Sequence, residues 1–262
     1  MTRERGRRRG SKVGIVLLVL VLILGVALVV ADRVAASAAE DQIAQQAQKE
    51  LVARQVSTAA DPKVNIAGFP FLTQVVGGEY DKITIDIARP KLNNVQLETL
   101  QIVASTVHAD AQSVLKGTGD VVADQVTGTA TMTWESVKPL LQLAGLPQGV
   151  DPSKADLSVL NNKVQVKIPL AVNGYNFNVI AKGTLTVDNG KVIVKLDDVS
   201  SDAGSVPQVV QNLIKQYQDR LSVTVRIPAM PYKLVINKVQ STDTGLLMIA
   251  TAANVKLAGN SA

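Results

Sequence analysis

Eighteen uncharged residues in a row, VGIVLLVLVLILGVALVV from Val13 to Val30, divide this chain before any other feature is weighed. As a helix the run reaches roughly 27 Å at about 1.5 Å per residue, just enough to cross a bilayer core. It is apolar on every side and follows a basic cluster, which fits a membrane segment better than a buried core helix. Arg3, Arg5, Arg7, Arg8, Arg9 and Lys12 face a single acid, Glu4. Such a cluster keeps the N-terminus cytoplasmic, so the rest of the chain is expected on the outer side of the membrane. Ala36-Ser37-Ala38 offers a small-residue cleavage pattern, whereas eighteen residues is long for a cleaved signal core. The expectation is an uncleaved single-pass anchor, with cleavage and export as the alternative.

The basic tail holds the whole charge imbalance. Residues 13–262 carry 21 basic and 21 acidic side chains, so no excess remains to build the basic face that a nucleic-acid partner needs. The chain has no cysteine, which rules out disulfides, thiolate metal sites and a cysteine nucleophile. An exported part of about 230 residues is large enough to be stable on its core alone. The expected division is a basic cytoplasmic tail (1–12), the membrane segment (13–30), a helical stalk or first domain helix (31–57) and an exported domain (58–262).

The exported part is organised around NIAGFPFLTQVVGGEYDKITIDI, residues 65–87. Ile83, Ile85 and Ile87 alternate with Lys82, Thr84 and Asp86, the pattern of a half-buried antiparallel strand. Pro70 restricts Phe69 to extended conformations and puts two rings, Phe69 and Phe71, at a hydrophobic lip. Gly77 and Gly78 read as a turn, so the stretch predicts strand, turn, strand.

GFPFLTQ, a glycine turn and EYDKITIDI together resemble the opening signature of the LmeA-like phospholipid-binding proteins of actinobacteria, a family associated with lipomannan elongation. The stretch IPAMPYKLVINKVQSTDTGLLMIATAANVKL, Ile227 to Leu257, is similar to that family's closing pattern. The resemblance implies a tubular lipid-binding type of fold, α+β, with a curved and mostly antiparallel sheet wrapped around amphipathic helices. It also implies a phospholipid in an apolar groove.

From Asp32 to Gln55, Ile43, Ala47 and Leu51 recur at four-residue spacing, predicting a helix that is either a solvated stalk or laid against the sheet. Val95 to Val107 and Val121 to Trp134 read as strands, and Glu135 to Ala144 as a short helix that tolerates Pro139 only within its first turn. Strands are expected again at Leu157 to Leu170, Tyr175 to Val187 and Lys191 to Val199, the last two joined by the hairpin signal Asp188-Asn189-Gly190. Ser205 to Leu221 carries the strongest helical stripe, with closing strands at Val223 to Ile227, Tyr232 to Gln240 and Leu246 to Leu257.

The residues offer little for catalysis. His108 is the one histidine, and without Gly-x-Ser-x-Gly or a second histidine it reads as a surface or edge residue rather than a base or metal ligand. Asp197 and Asp198 are neighbours on a strand and point to opposite faces, while Asp120 and Asp124 need a cleft between them to act on a glycan. No catalytic residue, metal or cofactor is indicated.

Aliphatic surface is what the chain has in surplus, being 47% hydrophobic and 3% aromatic. Given the resemblance, the reading is a non-enzymatic protein that holds a phospholipid or glycolipid, or a lipid-linked envelope intermediate, at the outer face of the cytoplasmic membrane. It would serve lipomannan-type synthesis or lipid transfer in the periplasm. Periodicity assigns the walls to Phe69, Phe71, Leu72, Ile83, Ile85 and Ile87, with Leu140, Leu141, Leu213, Ile214 and Tyr217 from the helices. The alternative for these residues is an ordinary core. The alternative for the protein is an anchored scaffold that binds envelope-synthesis enzymes and carries no lipid.

Overall fold

The computed structural model describes residues 10–92, 95–110, 120–142, 151–161, 163–172, 175–202, 222–225 and 233–258. The first element, α1 (Gly10–Ala53), is one continuous helix of 44 residues. Leu, Val, Ala and Gln dominate it, and no proline interrupts it. Its end is a left-handed cap at Gln55, φ 60°, with the Val56 N–H returning to the Leu51 carbonyl at 2.8 Å. From Val16 to Ala31 every residue is exposed, making α1 the one described helix long and apolar enough to cross a membrane.

After Asp32 the same helix becomes part of the domain. Ala36 is 5% exposed and packs with Ile66 and Phe71, with Ala35, Ala39 and Ile43 alongside. Of the predicted stripe, Ile43 thus packs beside β1 and α2.

The expected strand, turn, strand over residues 65–87 is corrected by the structure. Strand β1 (Lys63–Ala67) and strand β2 (Glu79–Ala88) are joined by a short helix, α2 (Phe71–Gly77). Pro70 precedes it in extended conformation, and Gly78 ends it in the left-handed region at φ 68°. Gln74 ties the connection together: its Nε2 donates to the Ala67 carbonyl at 3.1 Å, and its Oε1 accepts the Asp81 N–H at 2.9 Å. Seven residues are too few for a helical period to stand out, which is why the glycines dominate the sequence signal.

Strands β3 (Lys91–Leu92) and β4 (Val95–Gln96) form a small ribbon. Strands β5 (Thr99–Ala109) and β6 (Val121–Thr133) follow, and helix α3 (Trp134–Gln142) leaves the end of β6. The strand expected over Val95–Val107 is thus divided between β4 and β5. Pro139 is the sixth residue of α3, beyond the first turn, so the helix carries the proline without its bond to the Glu135 carbonyl.

A 3-10 turn (Pro152–Lys154) leads into β7 (Asp156–Leu160) and β8 (Lys163–Val172), where a single strand is expected from Leu157 to Leu170. Asn161, at φ 53°, opens the reversal. Strands β9 (Tyr175–Asp188) and β10 (Lys191–Ser201) form the predicted hairpin, with Asn189 and Gly190 both at positive φ. The chain closes with β11 (Ser222–Val225), β12 (Val235–Thr242) and β13 (Gly245–Ala258). The helix expected at Ser205–Leu221 lies outside the described residues.

The strands form two antiparallel sheets, β1-β2-β5-β6-β13-β12 and β11-β10-β9-β8-β7, plus the β3-β4 ribbon, so the architecture is α+β as expected. They meet where Leu185 and Val187 of β9 and Val192 of β10 pack with Ile236 and Ala250 of the larger sheet. A second seam joins Met132, Trp134 and Val137 to Leu157 and Val164.

The larger sheet is creased. Asp81-Lys82, Asp124-Gln125 and Ala253-Asn254 are consecutive pairs in which both residues are exposed, and Thr106 and Asn254 take positive φ at this level. The two-residue alternation fails there in one row across the strands. Tyr80, Val107, Ala123 and Val255 on one side of the row therefore join the same apolar cluster as Ile83, Ala104, Val126 and Ala252 on the other. Such irregularities bend a sheet.

Candidate functional site

Register places one continuous apolar row across all six strands of the larger sheet. Val64 pairs with Ile85, Ile85 with Ile102, Ile102 with Gly128, Gly128 with Ala250 and Ala250 with Ile236. The next row runs Ile87, Leu100, Ala130, Met248, Val239. Directly paired residues share a face, so the two rows form one surface.

Side-chain size varies across that surface in an ordered way. The central strands β6 and β13 contribute Gly128, Ala130, Ala250 and Ala252, while the flanking strands contribute Ile85, Ile102 and Leu100 on one side and Ile236 and Val239 on the other. Small residues between branched ones make a shallow trough along the middle of the sheet. Its floor is close-packed at Ile87, Gly128 and Ala250, all buried, the last against Val192 of the smaller sheet, whereas Ile85, Leu100, Ile102, Ala130 and Met248 retain intermediate exposure. A Cβ added to Gly128 would sit 3.8 Å from Leu234 Cδ1, an ordinary contact, so Leu234 roofs this point of the trough.

The predicted wall residues whose side chains are described divide between four places. Ile83, Ile85 and Ile87 lie on the trough face. Phe71 is 6% exposed beneath α2, its ring centroid 6.1 Å from that of Tyr80, whose phenol is raised above its ordinary value by burial. Phe69 and Leu72 are on the outside at 55% and 40% exposure, next to α1. Leu140 packs against the Met132, Trp134 and Val137 cluster near the seam. Leu141 belongs to α3, but its side chain lies outside the described residues, as do Leu213, Ile214 and Tyr217.

Residues that sequence reasoning missed are the small ones. Gly128, Ala130, Ala250 and Ala252 carry no large side chain to mark a wall, and only their register with Ile102, Leu100 and Ile236 assigns them a role. A usable signal was present in VTGTATM and MIATAA, where the residues alternating with threonine are small.

The polar groups are arranged as separate pairs. Asp120 meets Lys256 at 2.7 Å, and Asp124 meets His108 Nε2 at 3.3 Å on the exposed surface. Asp197 accepts the Thr184 hydroxyl at 2.8 Å and Lys163 Nζ at 3.1 Å, which hold its carboxyl below the usual range, hydroxyl first. Asp198 pairs with Lys182 at 3.9 Å. Each carboxylate singled out in the sequence has its own partner, and neither pair converges on a cleft. Among the described residues no group of three or more His, Cys, Asp or Glu comes together as metal ligands. What this surface can do chemically is hold aliphatic chains.

The family model for LmeA-like phospholipid-binding proteins matches residues 30–251. No curated protein and no solved structure matches the chain. The matched stretch begins where the apolar run of α1 ends and takes in α2, both sheets and half of β13. With that coverage the chain belongs to the LmeA-like phospholipid-binding family.

Proposed function

We propose that the protein holds a phospholipid or lipid-linked envelope intermediate with its acyl chains over the partly exposed Ile85, Leu100, Ile102 and Ala130 part of the larger sheet, outside the cytoplasmic membrane. It does so in support of lipomannan-type glycolipid synthesis or lipid transfer. The observation that carries this reading is the apolar face of the larger sheet, where Ile85, Leu100, Ile102 and Ala130 stay partly exposed beside the buried Gly128 and Ala250. Family membership supports phospholipid as the ligand class and argues for binding rather than catalysis. Each methylene transferred from water contributes about 0.8 kcal/mol, so two acyl chains need no charged contact to be held firmly.

Retention of the anchor is part of the proposal. Cleavage after Ala38 would remove Asp32, which accepts the Leu72 N–H at 2.8 Å, and the buried Ala36. A segment built this closely into the domain is an unsuitable one to discard. The domain is then a tethered binder, working within reach of its own membrane.

Native mass spectrometry of the chain from Ala31 onward, purified without detergent, tests the reading. A stoichiometric phospholipid is the expected result, and solvent extraction names its headgroup. A protein that is empty and refuses added phospholipid would leave the anchored scaffold for envelope-synthesis enzymes in its place.

A further inference from the structure

Helix α2 is apolar on two adjacent faces, about 100° apart, with Thr73 and Gln74 on its remaining side. Phe71 and Val75 face inward onto Ala36, Ile66 and Tyr80. Leu72 and Val76, four residues apart on the other face, are 40% and 89% exposed, and Phe69 beside them is 55% exposed. A second apolar face left exposed beside the buried one calls for an apolar neighbour there.

The position of this lip along α1 identifies the neighbour. Asp32 is 3% exposed and accepts the Leu72 N–H, and the Arg33 guanidinium carbon lies 4.8 Å from the Phe69 ring centroid. Both contacts are made one or two residues after Ala31, where the apolar run of α1 stops. At about 1.5 Å per residue, Phe69 and Leu72 are level with a point roughly 3 Å beyond the hydrocarbon-spanning segment. That is the depth of lipid headgroups and upper acyl chain, where aromatic rings and snorkelling arginines reside.

We infer that Phe69, Leu72 and Val76 form a second, peripheral membrane contact that seats the domain in the interface of the outer leaflet. The occupant of this face is the phospholipid bilayer, not another protein. The inference rests on the reading of α1 as a retained anchor. Phe69 and Leu72 are thereby reassigned from the wall of the groove to the surface of the membrane, and the Gly78 and Ala109 end of the larger sheet becomes its membrane-proximal end, because Ala109 N–H bonds the Gly78 carbonyl at 2.9 Å directly after α2.

The absence of native cysteine permits a direct test with the full chain. Single variants Leu22→Cys, Val76→Cys and Thr244→Cys, each carrying an environment-sensitive fluorophore, are reconstituted in phosphatidylcholine vesicles containing phosphatidylglycerol. Nitroxide lipids are added with the spin label either near the headgroup or near the chain end. The expected result is loss of emission at Leu22 with the deep label, loss at Val76 with the shallow label, and none at Thr244, which lies at the opposite end of the sheet. Quenching at Leu22 with none at Val76 would overturn the lip and leave the anchor intact. Quenching at Val76 with none at Leu22 would support the lip and overturn the anchor, and quenching at neither overturns both.

Discussion

Glu40 Oε1 accepts the Ile66 N–H at 2.7 Å, and through this bond α1 covers the open edge of the six-stranded sheet. Strand β1 pairs only with β2, so its outward N–H groups would otherwise be free to recruit another chain. Glu40→Ala is expected to destabilise the domain by about 1–3 kcal/mol, the usual consequence of leaving a part-buried donor unpaired. Glu40→Gln keeps an acceptor oxygen and should recover most of that loss. Denaturant unfolding of the two variants checks the order; equal stability for all three proteins would remove Glu40 from the account.

Asp32 makes the corresponding contact nearer the apolar run of α1, but with one oxygen unused. Oδ1 accepts the Leu72 N–H, whereas Oδ2 is buried without a hydrogen-bond partner. Asp32→Ala frees the Leu72 N–H and should cost about 1–2 kcal/mol, with α2 the first element to gain protease sensitivity. Asp32→Asn keeps the acceptor and removes a buried charge, so its stability should equal or exceed that of the parent. Limited proteolysis with mapping of the first cut reads both outcomes.

How much of this was legible in the residues depended on the length of each signal. The alternation Ile83, Ile85, Ile87 and the Asp188-Asn189-Gly190 turn were long or specific enough to specify β2 and the β9–β10 hairpin. Helix α2 was hidden because seven residues between two glycine signals carry too little periodicity. The break between β7 and β8 was hidden because Asn161 enters the left-handed region without a glycine to announce it. The trough was least legible of all: strands β7 to β12 lie between Gly128 and Ala250 in the sequence, and only pairing shows that they share one row.

The closing motif Thr242-Asp243-Thr244-Gly245 has a structural task. Thr242 Oγ1 accepts the Gly245 N–H at 3.1 Å, and Trp134 Nε1 donates to the Asp243 carbonyl at 3.3 Å. A Cβ on Gly245 would collide with the Met132 carbonyl oxygen, which belongs to backbone and cannot swing aside. Gly245→Ala should therefore destabilise the sheet by about 2–3 kcal/mol. Trp134 is the single tryptophan, so its emission should shift to the red in the variant if the β12–β13 turn detaches.

Asp202 extends the β9–β10 ladder beyond its last pair. Its carboxylate accepts the Asn178 side-chain amide at 2.6 Å and the Asn178 N–H at 2.8 Å, with Lys167 at 3.4 Å. These hydrogen bonds, the Asn178 side chain foremost, hold its pKa below the ordinary carboxylate value of 3.8. A folded-state pKa below the unfolded one adds stability at neutral pH, and that contribution disappears as pH falls through the lowered value. Acid unfolding should thus be shallower in Asp202→Asn than in the parent, with the two converging well below the ordinary carboxylate range. Parallel pH titrations followed by circular dichroism would reveal identical curves if the clamp were inert.

Filling the trough is the mutation that separates a lipid site from a merely well-packed sheet. Ala130 is partly exposed between Leu100 and Met248, so a large side chain there projects over the floor and away from the cluster around Val107 and Val126. Ala130→Trp should leave folding close to the parent while displacing about three methylenes of bound acyl chain. That forfeits roughly 2.4 kcal/mol, a factor of about sixty in Kd for phospholipid. Ile85→Trp, on the flank of the same trough, should weaken loading in the same direction. Gly128→Ala serves as the control, since its new methyl meets Leu234 at an ordinary contact distance and occupies little of the trough. Lipid occupancy by native mass spectrometry, measured beside unfolding curves for all three, makes the distinction: a folded Ala130→Trp that still carries a full complement of phospholipid would move the acyl chains off this face of the sheet.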